Sequence, residues 1–227
     1  MTAWALLVSC EHASRRVPSS LEPAFAGAKA ILDSHRGWDA GAVEVARRLS
    51  RRFAAPLIAG RYSRLVVDLN RSSHHPRLFS AWTRGLDERQ RGWLLRLHAA
   101  HWQRVADHLA EISKQRGHVV HLAVHSFTPE LDGERRNAEI GLLYDPRRPG
   151  ERRLASLLRE RLVASDCRVR RNYPYRGVAD GLPTALRKRL GAGYQGLELE
   201  LNQAFLARLG SAAVSARVAD ALRFALD

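Results

Sequence analysis

Three apolar runs in this chain end in residues able to do chemistry. The run from Trp4 to Val8 gives way to Cys10, Glu11 and His12, ahead of a basic turn closed by Pro18. The run from Val119 ends at His125 in HSFTP, and the last, LELELNQ, carries Glu198 and Glu200. Two imidazoles and a third donor make a catalytic zinc site with one position open. Read blandly, each histidine caps a loop or satisfies a carbonyl. Side chains alternate along a strand, so Glu198 and Glu200 share one face. A strand covered by helices should carry no carboxylates unless they are paired or working, which makes one of them a candidate general base and a buried ion pair with arginine the alternative.

The segment SRLVVDLNRS, residues 63–72, places Arg64, Asp68, Asn70 and Arg71 around an apolar stretch. Arg71 is suited to fork onto a substrate carboxylate. An internal Asp68–arginine pair is the structural alternative, and the two are compatible. His98, His101 and His108 fall on one helical pattern, with His101 the candidate among them, although such histidines are usually only half-buried. His74 and His75 read as surface residues, and His118 and His121 as surface or packing residues. Cys10 lacks a cysteine–histidine signature and reads as a small buried hydrophobe.

These residues need a frame that brings distant segments together. Strand-like runs occupy 4–10, 55–60, 64–69, 118–125, 139–145, 167–171 and 196–201, and helical patterns occupy roughly 38–53, 87–116, 150–164, 181–190 and 203–226. In the long helix Leu94, Leu97, His101, Val105, Leu109 and Ile112 follow the spacing of a buried face, with Gly117 as a natural cap. Strands separated by helices predict a largely parallel sheet covered on both faces. Such a sheet binds ligands beyond the carboxyl ends of its strands, where His12, His125 and the final acids fall. No repeat, low-complexity tract or linker divides the chain, so residues 1–227 are expected to form a single domain.

The 227 residues are 45% hydrophobic, ordinary for a globular core. No apolar run approaches the length of a membrane helix. The LVSC stretch at 7–10 lacks the basic and apolar regions of a signal peptide. Two cysteines imply no disulfide framework, and a cytoplasmic location is expected. The net charge of +14 is scattered along the chain and is nearly all arginine, Lys29, Lys114 and Lys188 excepted. That dispersal favours a compositional origin over nucleic-acid binding, and leaves open an attraction for an anionic substrate or partner.

Taken in order, SCEHASRRVP, HRGWDAGA (35–42), SRLVVDLNR, HSFTP, RNAEIGLLYD (136–145), NYPYRG (172–177) and LELELNQ resemble the N-formylglutamate amidohydrolase family nearly end to end. The family looks like a branch of the zinc-carboxypeptidase and aspartoacylase fold. The resemblance implies one three-layer α/β/α domain with a mixed, mostly parallel sheet of the zinc-peptidase type and a Zn²⁺ site at its carboxyl edge. It implies His12 and His125 as metal ligands and Glu200, rather than Glu198, as general base. Arg64, Asn70 and Arg71 would hold a substrate carboxylate, with Arg71 also the arginine beside the oxyanion. Ser126, Asn172 and Tyr175 fall in matched segments and are expected on the substrate side. Where the carboxypeptidase relatives carry a glutamate three residues after the first histidine, this chain has Arg15. The third ligand is therefore expected from His35 or from Glu11, with His35 preferred. The implied activity is hydrolysis of an N-formyl or other N-acyl amino acid such as formylglutamate. The alternatives are an inactive metal- or partner-binding relative and an arginine-rich nucleic-acid binder. The oligomeric state is left open.

Overall fold

The structure is a computed structural model that describes residues 5–116 and 118–227. Trp4 and Gly117, expected to open the first strand and to cap the long helix, lie outside the described residues.

The elements run β1 (Ala5–Cys10), α1 (Lys29–Asp33), α2 (Ala42–Arg52), β2 (Leu57–Ala59), α3 (Glu88–Arg116), β3 (Val119–Phe127), a hairpin of β4 (Glu130–Leu131) and β5 (Glu134–Arg135), β6 (Ile140–Leu143), α4 (Pro149–Ala164), β7 (Val169–Arg171), α5 (Leu182–Leu190), β8 (Tyr194–Asn202) and α6 (Gln203–Leu226). Six strands form one sheet in the order β2-β1-β3-β8-β6-β7. β2, β1, β3 and β8 are mutually parallel, β6 runs antiparallel to β8, and β7 is parallel to β6. The mixed, mostly parallel sheet covered by helices on both sides matches the expected α/β architecture.

Alternation sorts the two faces. Leu6, Val8 and Cys10 of β1, Val120, Leu122 and Val124 of β3, and Leu197, Leu199 and Leu201 of β8 pack into one core with α2, α4 and α6. The intervening residues face α3 and α5, whose Val105, Leu109, Leu182 and Leu186 form a second core with Leu7, Val119 and Tyr194. Because β3 and β8 pair in register, His125 stands beside Glu200 and Ala123 beside Glu198, so His125 and both acids point to the α3–α5 side. His121, two residues before, is fully buried there, its ring between the Ser9 hydroxyl at 2.8 Å and the Tyr194 hydroxyl at 2.8 Å. It is a packing residue.

One expected strand is absent. Residues 64–69 turn repeatedly instead of extending, with Val66 N–H donating to the Ser63 carbonyl and Arg71 N–H to that of Asp68. Val66, Val67 and Leu69 pack with Leu21, Phe25, Leu78 and Leu94 in a third core beneath the loop. Consecutive buried Val66 and Val67 satisfy a buried strand and a packed loop equally, and periodicity does not separate the two. The whole of residues 60–87, between β2 and α3, has no helix or strand.

Candidate active site

β1 and β3 are neighbours, yet the connection leaving β1 leads to β2 on one side and the next returns to β3 on the other. That reversal opens a crevice at the carboxyl ends of β1 and β3, where open α/β sheets bind ligands. His12 sits in the turn after β1, and His125 is near the end of β3. Their ring centroids are 5.1 Å apart.

The carboxylate between the rings is Asp39, at the approach to α2. Asp39 Oδ2 lies 2.9 Å from His125 Nδ1 and 3.4 Å from His12 Nδ1. It also accepts from Ser126 N–H at 3.3 Å, while Asp39 N–H donates to the His12 carbonyl at 3.0 Å. His12, Asp39 and His125 are all buried, and each offers an atom within 4.8 Å of the other two. Among the described residues this is the group able to hold a metal ion.

Each imidazole is backed by a second carboxylate. His12 Nε2 lies 2.7 Å from Asp68 Oδ1, and His125 Nε2 lies 3.0 Å from Glu11 Oε2. Glu11 is fully buried, and its other oxygen lies 3.6 Å from His101 Nε2 of α3. Asp68 is further held by the Arg64 guanidinium at 2.8 Å and by Asn70 N–H at 3.0 Å. Burial opposes ionisation of all these groups, but the mutual pairing outweighs it. The His125 pKa is held well above the usual range by Asp39 and Glu11, and that of His12 is raised by Asp68 and Asp39. Asp39 is lowered by His12 and His125, Asp68 by Arg64 and His12, and Glu11 by His101 and His125.

Glu200 behaves in the opposite way. Burial, reinforced by Asp39 and Glu198 and only partly offset by His125, pushes its pKa up to about 8. Its Oε2 is buried with no hydrogen-bond partner. Glu198 is also raised, chiefly by burial, and accepts from the Asn70 amide at 3.1 Å. Both acids line a cavity of about 320 Å³ with His12, Asp39 and His125, and Arg64, Arg71, Arg77 and Arg176 give it a basic rim.

The expected residues divide accordingly. His12, His125, Glu198, Glu200, Arg64, Asn70, Arg71, Ser126 and Tyr175 all line the cavity. The Ser126 hydroxyl is already committed to the Ala40 carbonyl at 2.9 Å, and Asn70 ties Glu198 to the α5 N-terminus through Leu182 N–H at 3.0 Å. Asn172 is not among the lining residues: its side-chain oxygen accepts from Tyr144 N–H at 3.1 Å and Gly177 N–H at 3.0 Å, so it shapes a turn. His35 and Glu11, expected as third ligand, both fall outside the His12–Asp39–His125 group. His35 lies on an exposed turn four residues before Asp39, where burial and the Arg36 charge depress its pKa. Glu11 follows the strand's alternation onto the α3 face and reaches the far nitrogen of His125. Arg15, three residues after His12, is exposed and pairs with Asp33 at 2.7 Å. Asp39, Arg77 and Arg176 escaped the sequence reading. The one signal for Asp39 was an acid inside the matched GWDAG segment.

A mixed α/β sheet with buried imidazoles and carboxylates at its switch point, under a basic rim, has the make-up of an active site. Comparison with known proteins narrows this to a hydrolase. The family model described as N-formylglutamate amidohydrolase matches residues 4–207, and the chain belongs to that family. It is similar to the solved structure of the Agrobacterium tumefaciens gene product Atu2144, with 33% identity, a TM-score of 0.85 and coverage of 97% of this chain and 90% of the other. It also shares its fold with N-formylglutamate amidohydrolase from Ralstonia eutropha JMP134, at 18% identity and a TM-score of 0.65 over 98% of this chain and 93% of that one. No protein of curated function matches the chain.

Proposed function

We propose that this protein is a zinc-dependent amidohydrolase that removes an N-formyl or other small N-acyl group from an amino acid such as glutamate. The observation that carries the reading is the buried His12–Asp39–His125 group with the unpartnered Glu200 carboxyl beside it.

The donor chemistry fits a divalent ion. Two imidazole nitrogens and a carboxylate oxygen suit zinc. The second nitrogen of each ring meets a carboxylate, an arrangement that orients a ligating histidine and raises its basicity. Two further buried acids, Glu198 and Glu200, line the same cavity, and a cation held there would favour their ionised forms. A bound zinc ion supplies Lewis-acid activation of water and of the substrate carbonyl.

Glu200 would take a proton from the attacking water and return it to the leaving amine. A carboxyl shifted toward neutrality suits that exchange near neutral pH. Water oxygen joins the acyl carbon, the C–N bond breaks, and the products are formate, or another small acid, and a free amino acid. Arg71, on the rim and 4.0 Å from Asp68, is free to fork onto a substrate carboxylate or to stabilise the oxyanion. Arg64 is held by Asp68 and Asp39, so it fixes the rim while presenting its remaining donors. Tyr175 closes the side, its hydroxyl accepting from Arg136 at 3.2 Å.

Glu200→Gln tests the reading. It should bind zinc like the parent yet hydrolyse N-formylglutamate at least ~100-fold more slowly. Normal turnover with metal bound would refute the role of Glu200. Parent protein that is inactive on every formyl- and acetyl-amino acid when loaded with zinc would refute the activity.

A further inference from the structure

A second cleft lies outside the carboxyl ends of β1 and β2, on the far side of the 12–16 turn from the catalytic cavity. It has a volume of about 780 Å³ and shares no lining residue with that cavity. α2 contributes Val43 and Arg47, α3 contributes Trp93, Arg96, Leu97 and Arg104, and the turns after β1 and β2 add Arg16 and Arg61.

Its charge is one-sided. Arg16, Arg47, Arg61, Arg96 and Arg104 all line it, and no aspartate or glutamate does. None of the five makes an ion pair among the described residues. Elsewhere the chain does pair its arginines where an acid is near, as in Arg187–Glu151 at 2.9 Å and Arg161–Asp220 at 2.7 Å. The five exposed arginines line one concavity, and an anion with several charges can engage more than one of them at once. Between them the wall is apolar, formed by Val43, Leu69, Trp93 and Leu97.

We propose that this cleft is a second ligand site, which takes the di- or triphosphate group of a small molecule. Guanidinium forks match phosphate oxygens bidentately. The volume falls within the usual range of small-ligand pockets. A concave site between two helices suits a compact ligand better than a nucleic-acid backbone, which needs cations spread along a surface. The ligand group can come from inorganic pyrophosphate or from a nucleotide whose base lies against Trp93.

The full-length protein is titrated calorimetrically with pyrophosphate and, separately, with ADP, in the presence of chelator so that no metal ion carries the anion to the catalytic site. Binding of either probe is expected, and the tighter one assigns the source. Arg47→Ser/Arg61→Ser should weaken binding by roughly 100-fold or more, two charge-assisted contacts being lost. A control pair, Arg51→Ser/Arg223→Ser, removes the same charge from a different cleft between α2 and α6 and should bind like the parent. If the first pair is not folded by its melting curve, Arg96→Ser/Arg104→Ser on α3 replaces it. Failure of both probes to bind at millimolar concentration overturns the proposal. So does unchanged affinity in the cleft variant, or equal loss in both pairs, which would make net charge the cause.

Discussion

On the proposed zinc reading, Glu11→Gln separates a carboxylate that backs a metal ligand from one that is itself a ligand. Glu11 is fully buried, does not line the catalytic cavity, and meets His125 Nε2 at 3.0 Å. Glutamine keeps the shape and removes the charge, so His125 loses the anionic partner at Nε2 while keeping Asp39 at Nδ1. Outer carboxylates of this kind are worth about 10–100-fold in metal affinity, or about 1.4–2.7 kcal/mol. Asp39 provides the yardstick, because it lies between both rings. A four-donor zinc site contributes about 10–16 kcal/mol in all. One donor is then worth about 2.5–4 kcal/mol, so Asp39→Asn should lose roughly 100–1,000-fold. Stripped protein is titrated with zinc against a chromophoric chelator at neutral pH, and hydrolysis is followed as metal is restored. Glu11→Gln should need more zinc yet recover most of the parental rate at saturation. Unchanged affinity would show that the 3.0 Å pairing does not support the site. A loss as large as that of Asp39→Asn would make Glu11 a ligand and refute the arrangement drawn here.

The raised Glu200 carboxyl carries a linkage consequence. Between its ordinary value near 4.5 and the folded value of about 8 the native state holds a proton that the unfolded state has released. Stability of the metal-free protein should therefore fall as pH rises through that window, by up to about 1.4 kcal/mol per pH unit from this group. Urea unfolding from pH 5 to 8 should show a shallower decline in Glu200→Gln, and parallel curves would contradict the shift. His125 adds to the same decline. Its folded pKa is raised, so its contribution is full below about 6.5 and is lost as pH rises through the folded value. Arg71→Ala should lower kcat/KM for N-formylglutamate by roughly 10–100-fold, one charge-assisted contact, without weakening zinc binding; steady-state kinetics with a zinc titration will show whether it does. Gly60→Ala would put a Cβ 1.9 Å from the Glu11 carbonyl oxygen. It should cost about 1–3 kcal/mol by denaturant unfolding, and a neutral result would mean that the turn yields freely.

What the sequence made legible follows the rules of strands. His12, His125 and Glu200 were legible as neighbours in one cavity because each stands where a parallel strand ends or on a face that helices cover, and period two then orders them. The same alternation separated Glu11 from His12, and the structure places Glu11 on the opposite side, behind His125. Asp39 obeys no period. It belongs to a turn whose shape depends on Gly41 at φ +80° and on contacts with His12 and Ser126, from segments 27 and 87 residues away. His35, in the same matched stretch, was the more conspicuous ligand type, and it lies outside the His12–Asp39–His125 group. The 64–69 strand failed for the reason already visible in Val66 and Val67: burial without alternation. Asp68 showed as an arginine partner, which it is, but its bond to His12 links residues 56 apart and leaves no local trace.

The 60–87 loop gives the site two regimes of tolerance. His12, His125 and Glu200 rest on or beside strands whose neighbours fix them, so their spacing resists drift. Arg64, Asn70, Arg71 and Arg77 ride on a segment without strand ladders, held instead by side-chain contacts and by the core beneath it. Asp68 is the rivet between the two, fastening that segment to His12. Variation can therefore accumulate at the loop's exposed positions, provided the bond between Asp68 and His12 is spared.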